Sequence, residues 1–191
     1  MIIVKLFNCI TVSEGQAFPN HLPVFTDPAQ PGKTVIVGHM ARANPQWKHF
    51  QSGGKVTVIF HGPHTYITPR WYPDPVNVPT WNYAVAHAQG IPKIIDDYDG
   101  INSILIRSVE IFEREEMHPW KLDLPDDMRK NLVRAIVGFE IEVTQLDSKF
   151  KLSQNRSEED RQGVIRGLQN RPDEMSKRVV DLMLKSVHSK K

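Results

Sequence analysis

The sequence predicts an α+β fold, a small β-barrel with helices packed outside it, and three observations carry that prediction. The first half of the 191-residue chain holds several short apolar runs separated by Gly and Pro punctuation. Near residue 99 the hydrophobic period lengthens from that of a strand to that of a helix. A single alternating run at 136–146 then separates two helical stretches.

The opening, Met1 to Phe7, reads as a strand, because no basic region followed by a long apolar core marks a signal peptide. Pro31-Gly32-Lys33 is a turn before a strand at 34–38, and Ser52-Gly53-Gly54 precedes another at 55–61, where Val56, Val58 and Phe60 alternate with Thr57 and Ile59. Shorter strands follow at 65–68 and 81–87. The connection between them carries Pro69, Pro73, Pro75 and Pro79 and cannot be a central strand, since proline supplies no ladder donor. A short run at 92–95 follows. Asp96, Asp97 and Asp99 suit a helix N-terminus. Ile101, Ile104, Leu105, Ser108 and Phe112 recur at spacings of three and four, so 99–116 reads as an amphipathic helix. A short helix near 126–134 leads into the strand at 136–146, with Phe139, Ile141 and Val143 inward and Glu140, Glu142 and Thr144 outward. After a turn at Asp147-Ser148, Ser157 and Asp160 form a loose capping box for a helix whose apolar face is Val164, Ile165 and Leu168. A last helix, with Pro172 in its first turn, buries Met175, Val179, Leu182 and Met183. The expected division is a barrel domain at 1–152 and a C-terminal helical segment at 153–191 packed on it.

Composition narrows the function classes. Gly and Pro, 11 and 14 residues, fall short of a disordered composition, and no apolar run reaches the roughly 18 residues that span a bilayer. The single cysteine, Cys9, excludes an internal disulfide and fits a reducing, cytoplasmic setting. Charge is uneven. Residues 149–191 carry eleven Lys/Arg against six Asp/Glu, net +5, and residues 1–148 are net −3. The cationic end invites a polyanion such as DNA, or is simply a solvated helical surface ending in Ser189-Lys190-Lys191. No Gly-x-Ser-x-Gly, Walker or Gly-x-Gly-x-x-Gly pattern is present, so hydrolase and nucleotide-loop chemistry have no support.

Four segments concentrate polar and aromatic groups. Gly38 to Trp47 places His39, Arg42, Asn44, Trp47 and then Lys48 at a strand end; a guanidinium fork suits phosphate and an indole face suits a planar ring. The same residues also fit a turn in which Asn44-Pro45 starts a helix and Trp47 packs in the core. His61 to Tyr72 joins Arg70 to Tyr66, Trp71 and Tyr72. Its His61 and His64 make a weak metal pair, because Gly62-Pro63 forbids the helix that would align them. Val78 to Gly90 offers Thr80 and Asn82 to a heteroaromatic edge, with Trp81 and Tyr83 as walls. Lys149 to Arg156 puts donors just before a helix N-terminus, where an anion is favoured.

Taken in order with Ile136 to Glu140, these segments resemble the PaiB family, from about Phe18 to the region of Leu184. The resemblance implies an FMN-binding split β-barrel of the pyridoxamine phosphate oxidase type, a homodimer with flavin at the subunit interface, and a negative transcriptional regulator rather than an enzyme. It implies that Arg42 and Lys48 hold the FMN phosphate and that His39, Asn44, Thr80 and Asn82 line the site. Trp47, Trp71 and Trp81 then shield the rings or build the dimer contact, with Arg70 as a further cation. The start, Ile2 to Val12, departs from the family's usual first strand. Two alternatives remain: an FMN-dependent oxidoreductase, which shares the pocket, and a haem-binding or haem-degrading protein using His39, His61, His64 or His87 as axial ligand.

Overall fold

The computed structural model describes residues 4–27, 32–74 and 76–188, so the expected turn at Pro31 and the basic tail Ser189-Lys190-Lys191 lie outside the described residues. Six strands close into a barrel: β1 (Val4–Ser13), β2 (Gln16–Asp27), β3 (Val35–Ala41), β4 (Val56–Ile67), β5 (Thr80–Ile95) and β6 (Ile136–Lys151). Around the barrel the order is β1-β2-β3-β6-β5-β4. The helices are α1 (Gln46–Gln51), α2 (Tyr98–Phe112), α3 (Asp126–Arg134), α4 (Glu158–Gln169) and α5 (Glu174–His188).

The strands run longer than the sequence suggests, for one recurring reason. Gly62 and Gly90 resemble turn punctuation, yet each sits inside a strand where a neighbouring backbone comes close. A Cβ on Gly62 would lie 2.8 Å from the Ala84 carbonyl oxygen, and one on Gly90 would lie 2.3 Å from that of Glu142. The expected pairs 55–61 with 65–68, and 81–87 with 92–95, are therefore single strands, β4 and β5. Likewise β6 continues through Asp147-Ser148 to Lys151.

The sequence does not predict a strand at 16–27, because Pro19 and Pro23 break the pattern. Both lie outside Val24–Asp27, the stretch of β2 paired with β3, so neither removes a ladder bond on that edge. The atypical N-terminal segment forms β1, which pairs with β2 along its length and with β4 at Asn8, Cys9 and Ile10. Glu14 and Gly15, at φ 51° and 75°, make the two-residue left-handed turn that a tight hairpin needs.

The chain forms two compact units. One comprises the chain up to Phe60 together with His87–Leu146; the other comprises His61–Ala86 and the chain from Asp147 onward. In the first unit the barrel core is Phe7, Cys9, Val24, Ile36, Met40, Phe50, Val58, Phe139 and Ile141 among others. The outward residues Phe25, Val35 and Val37 pack with Ile104 of α2. Arg107 seals this layer, pairing with buried Asp27 at 2.8 Å and lying 4.9 Å from the Phe25 ring centre.

In the second unit the strand segments 61–67, 80–86 and 147–151 accompany α4 and α5, with Ile67, Leu152, Val164, Leu168, Val179 and Met183 buried together. Alternation along β5 leaves its two faces unlike: Asn82 and Ala84 are buried, whereas Trp81 is 51% exposed.

Candidate functional site

In the first unit β3 ends at Ala41 and the next residue acts as a bracket. The Arg42 backbone N–H donates to the Ala135 carbonyl at 2.8 Å, its Nε to that of Arg134 at 2.9 Å and its Nη2 to that of Ile136 at 2.9 Å. The Arg134 and Ala135 carbonyls lie at the C-terminal end of α3, where helical partners run out, and that of Ile136 opens β6, so Arg42 caps the helix from another part of the chain. Nη2 also meets Asp96 at 2.5 Å. The structure thus gives Arg42 a scaffolding task in place of the free phosphate fork that the sequence suggests.

The neighbouring groups are similarly engaged. Asn44 Oδ1 accepts from the Gln46 N–H at 3.0 Å, fixing the start of α1. Trp47 Nε1 donates to the Arg42 carbonyl at 2.9 Å, and its ring packs on the barrel core. Lys48 is exposed, with Nζ 5.8 Å from the Trp47 ring centre. His39 differs from the rest: its Nδ1 is buried without a hydrogen-bond partner among the described residues, and burial lowers its pKa, so the imidazole is held neutral.

Sequence reasoning passes over Gln46. It is fully buried, and its Nε2 donates to the carbonyls of Cys9 and Phe18, both at 3.0 Å, pinning α1 to the β1–β2 hairpin. Nothing in a Pro-Gln-Trp string marks such a role. Cys9 is itself inert, its thiol pushed up to about 12 by burial.

In the second unit Trp71 ends a 3₁₀ turn, Pro69–Trp71, and lies on α4. A Cβ on Gly167 would sit 2.3 Å from the indole ring, and one on Gly163 would sit 2.1 Å from the Trp71 carbonyl oxygen. Arg171 covers the ring at 4.7 Å. Trp71 is therefore clamped, and the two glycines four residues apart on a predicted helix are the signal for it. Asn82 is fully buried, its Nδ2 donating to Ser153 Oγ at 3.0 Å with Met183 Sδ at 3.6 Å. Thr80 Oγ1 accepts from Lys151 Nζ at 2.5 Å. The exposed residue Arg70 is anchored by its backbone, donating to Thr68 Oγ1 at 3.4 Å.

The expected anion site before α4 is taken up by the protein's own groups. Besides Lys151 and Ser153, Arg156 donates to Asn77 Oδ1 at 2.8 Å and stacks 4.7 Å from the Tyr72 ring. The first turn of α4 holds Glu158, Glu159 and Asp160, which repel an anion there.

What stays open is an aromatic surface. Trp81 stands 6.1 Å from Tyr66, edge to face, and 6.2 Å from His64. Trp81 is 51% exposed and Tyr66 38% exposed, with Phe150 also exposed in this unit. This face can stack a planar group, with the His64 imidazole at its margin. Among the described residues no group of three or more His, Cys, Asp or Glu is placed to hold a metal ion, and no helix is long and apolar enough to cross a membrane.

Comparison with known proteins places this geometry in a family. The family model described as "Putative FMN-binding domain" matches residues 5–145. The protease synthase and sporulation protein PAI 2 of Bacillus subtilis is 35% identical over 175 residues, 91% of this chain and 83% of that protein. An uncharacterized protein of Emericella nidulans is 32% identical, covering 78% of this chain and 72% of its own length. Among solved structures, the FAD and heme binding protein from Mycobacterium smegmatis aligns with a TM-score of 0.59 at 12% identity, over 82% of this chain and 71% of that one. The flavocytochrome Anf3 from Azotobacter vinelandii aligns with a TM-score of 0.57 at 15% identity, over 81% and 66%. At those identities the two structures establish the fold alone, the split barrel of flavin-binding proteins. The chain belongs to the FMN-binding-domain family that contains PAI 2, the PaiB family.

Proposed function

We propose that this member of the PaiB family is an FMN-binding protein that acts as a homodimeric, cytoplasmic negative regulator of transcription. The observation that carries the flavin reading is Trp81, a large ring half in water beside Tyr66 and His64. An exposed aromatic cluster of this kind fits the isoalloxazine ring, and the same surface suits contact with a second copy. Arg70, an exposed guanidinium of the second unit, is the candidate partner for the phosphate there. In the first unit Lys48 is a separate candidate for the phosphate, since Arg42 is engaged with Asp96 and backbone carbonyls. Asn44, Trp47, Trp71, Thr80 and Asn82 act at one remove, by holding the backbone that presents these groups.

Bound FMN supplies one- and two-electron redox chemistry; the protein's own groups stack the ring and neutralise the phosphate. The regulator reading draws on the PAI 2 name and on the net +5 of residues 149–191, which suits a DNA backbone and gives binding that weakens steeply with salt. The test is the visible spectrum of the purified protein, followed by quenching of FMN fluorescence on titration. Flavin absorbance or quenching that Trp81→Ala diminishes supports the site, and neither signal in the wild type removes it. Oxidation of NAD(P)H by the FMN-loaded protein distinguishes an oxidoreductase.

A second reading rests on His39. Its neutral, half-buried imidazole, with a buried Nδ1 that has no partner among the described residues, is the form that ligates iron, and the Mycobacterium smegmatis neighbour is described as binding heme. A Soret band on adding haemin, absent in His39→Ala, favours that reading.

A further inference from the structure

The first unit carries a concave surface lined by none of the candidate flavin- or iron-binding groups. Alternation puts Glu140, Glu142 and Thr144 on one face of β6, and the register sets Val35 of β3 beside Glu142. On the other side of β6, strand β5 contributes Ile91, Pro92 and Lys93. Together the three strands line a groove of about 360 Å³. Buried Val35, which also packs with Ile104 of α2, forms part of its apolar lining. Small-molecule sites begin at roughly 300 Å³, so the groove is large enough for a compact ligand. Its walls are fixed by the backbone. At Gly90 strand β5 runs so close to β6 that a Cβ would lie 2.3 Å from the Glu142 carbonyl oxygen.

The charges of the groove select the kind of ligand. Glu142 is already neutralised by Lys33, at 2.8 Å. One carboxylate, Glu140, and one ammonium, Lys93, then remain, and neither side chain has a hydrogen bond or ion pair among the described residues. They line the same groove without meeting each other. Thr144 Oγ1 donates to the Gln89 carbonyl at 3.3 Å, so its lone pairs are left to accept. The groove therefore presents one negative group, one positive group, a hydroxyl acceptor and an apolar lining of Val35, Ile91 and Pro92. A phosphate suits it poorly, because two carboxylates oppose it against a single uncommitted cation. A ligand that is only cationic leaves Lys93 unmatched. A molecule carrying both charges and a short apolar chain satisfies every group at once.

We propose that the groove between β3, β6 and β5 binds a small apolar zwitterion of the amino-acid class. The ligand's ammonium meets Glu140 and its carboxylate meets Lys93, while its side chain lies on Val35 and Ile91. This site is separate from the flavin surface and does not depend on it.

The experiment is calorimetric titration of the full-length protein with L-leucine, L-methionine and L-phenylalanine. Each is compared with the amine that lacks its carboxylate and the acid that lacks its ammonium; for leucine these are 3-methylbutylamine and 4-methylpentanoate. At least one amino acid binds with a dissociation constant of about 1 mM or tighter, and about tenfold more tightly than either analogue. Glu140→Gln removes the advantage over the acid, and Lys93→Gln removes the advantage over the amine. Damage to the fold instead weakens all three ligands alike, and far-ultraviolet circular dichroism detects it. No binding of any of the amino acids at about 10 mM overturns the proposal. So does an analogue that binds as tightly as its parent, or binding that neither variant alters. FMN quenching is the same in both variants as in wild type, so this site and the flavin reading stand or fall separately.

Discussion

Gly38–Trp47 in the first unit and Thr80–Ala86 in the second are alike in sequence, each a short stretch dense in polar and aromatic groups. In the structure they behave oppositely. Around Gly38–Trp47 the polar groups are engaged by the fold: Arg42 donates to three carbonyls and Asp96, Trp47 donates to the Arg42 carbonyl, and Asn44 accepts from Gln46. Along Thr80–Ala86 alternation divides the labour, with Asn82 bonded to Ser153 in the interior and Trp81 left at the surface. A cluster of functional residue types therefore signals a site only where tertiary partners do not absorb it. The remaining candidates are Trp81, Lys48, Arg70 and His39, whose Nδ1 has no partner among the described residues.

The sharpest way to break this contrast is at the clamp on Trp71. Gly163→Ala places a Cβ 2.1 Å from the Trp71 carbonyl oxygen, a backbone atom that cannot swing away. The expected cost is about 3 kcal/mol, read as a lowered denaturation midpoint, because overpacking forces the backbone to shift. If the midpoint holds, Trp71 is not locked against α4 and regains its place among the ring-stacking candidates.

Next in size is Arg42→Ala, expected to cost about 1 kcal/mol by removing the side-chain bonds to the Arg134 and Ile136 carbonyls, while the backbone bond to Ala135 stays. The partly exposed ion pair with Asp96 adds little to this in water. The informative part is the comparison with binding. FMN affinity in a fluorescence titration stays within about twofold of wild type, whereas a direct phosphate contact lowers it by about tenfold or more. Trp81→Ala shows the reverse: stability within about 0.5 kcal/mol of wild type and FMN quenching weakened by about tenfold.

Much of the fold is legible in the sequence because periodicity reports burial. The helix at α2, the cap at Ser157 and the inward Phe139 and Ile141 follow directly from spacing. The strand β2 and the continuous strands β4 and β5 stay hidden because Pro and Gly carry two meanings. At Pro19 and Pro23 the lost N–H lies beyond the pairing with β3, and at Gly62 and Gly90 the lost Cβ makes room for a neighbouring strand. Neither condition is visible without the partner. The site is legible only as a set of residue types. Which donors are free depends on Ala135, Asp96, Ser153 and Lys151, all distant in sequence from the groups they engage.

The smallest expected effect tests the residue that both comparison and chemistry leave open. Burial lowers the His39 pKa from its ordinary value of 6.5, so the folded protein resists a proton that the unfolded chain accepts. Stability contributed by the neutral imidazole is therefore complete above pH 6.5 and declines as pH falls through that value toward the folded pKa. The slope cannot exceed about 1.4 kcal/mol per pH unit, the value for one proton. His39→Leu, which keeps the volume and removes the titration, flattens the decline in urea-denaturation stability between about pH 7 and 5. An unchanged slope in that variant shows that burial does not hold the imidazole neutral in solution. With it would go both the reason for singling out His39 and the support it lends to iron ligation.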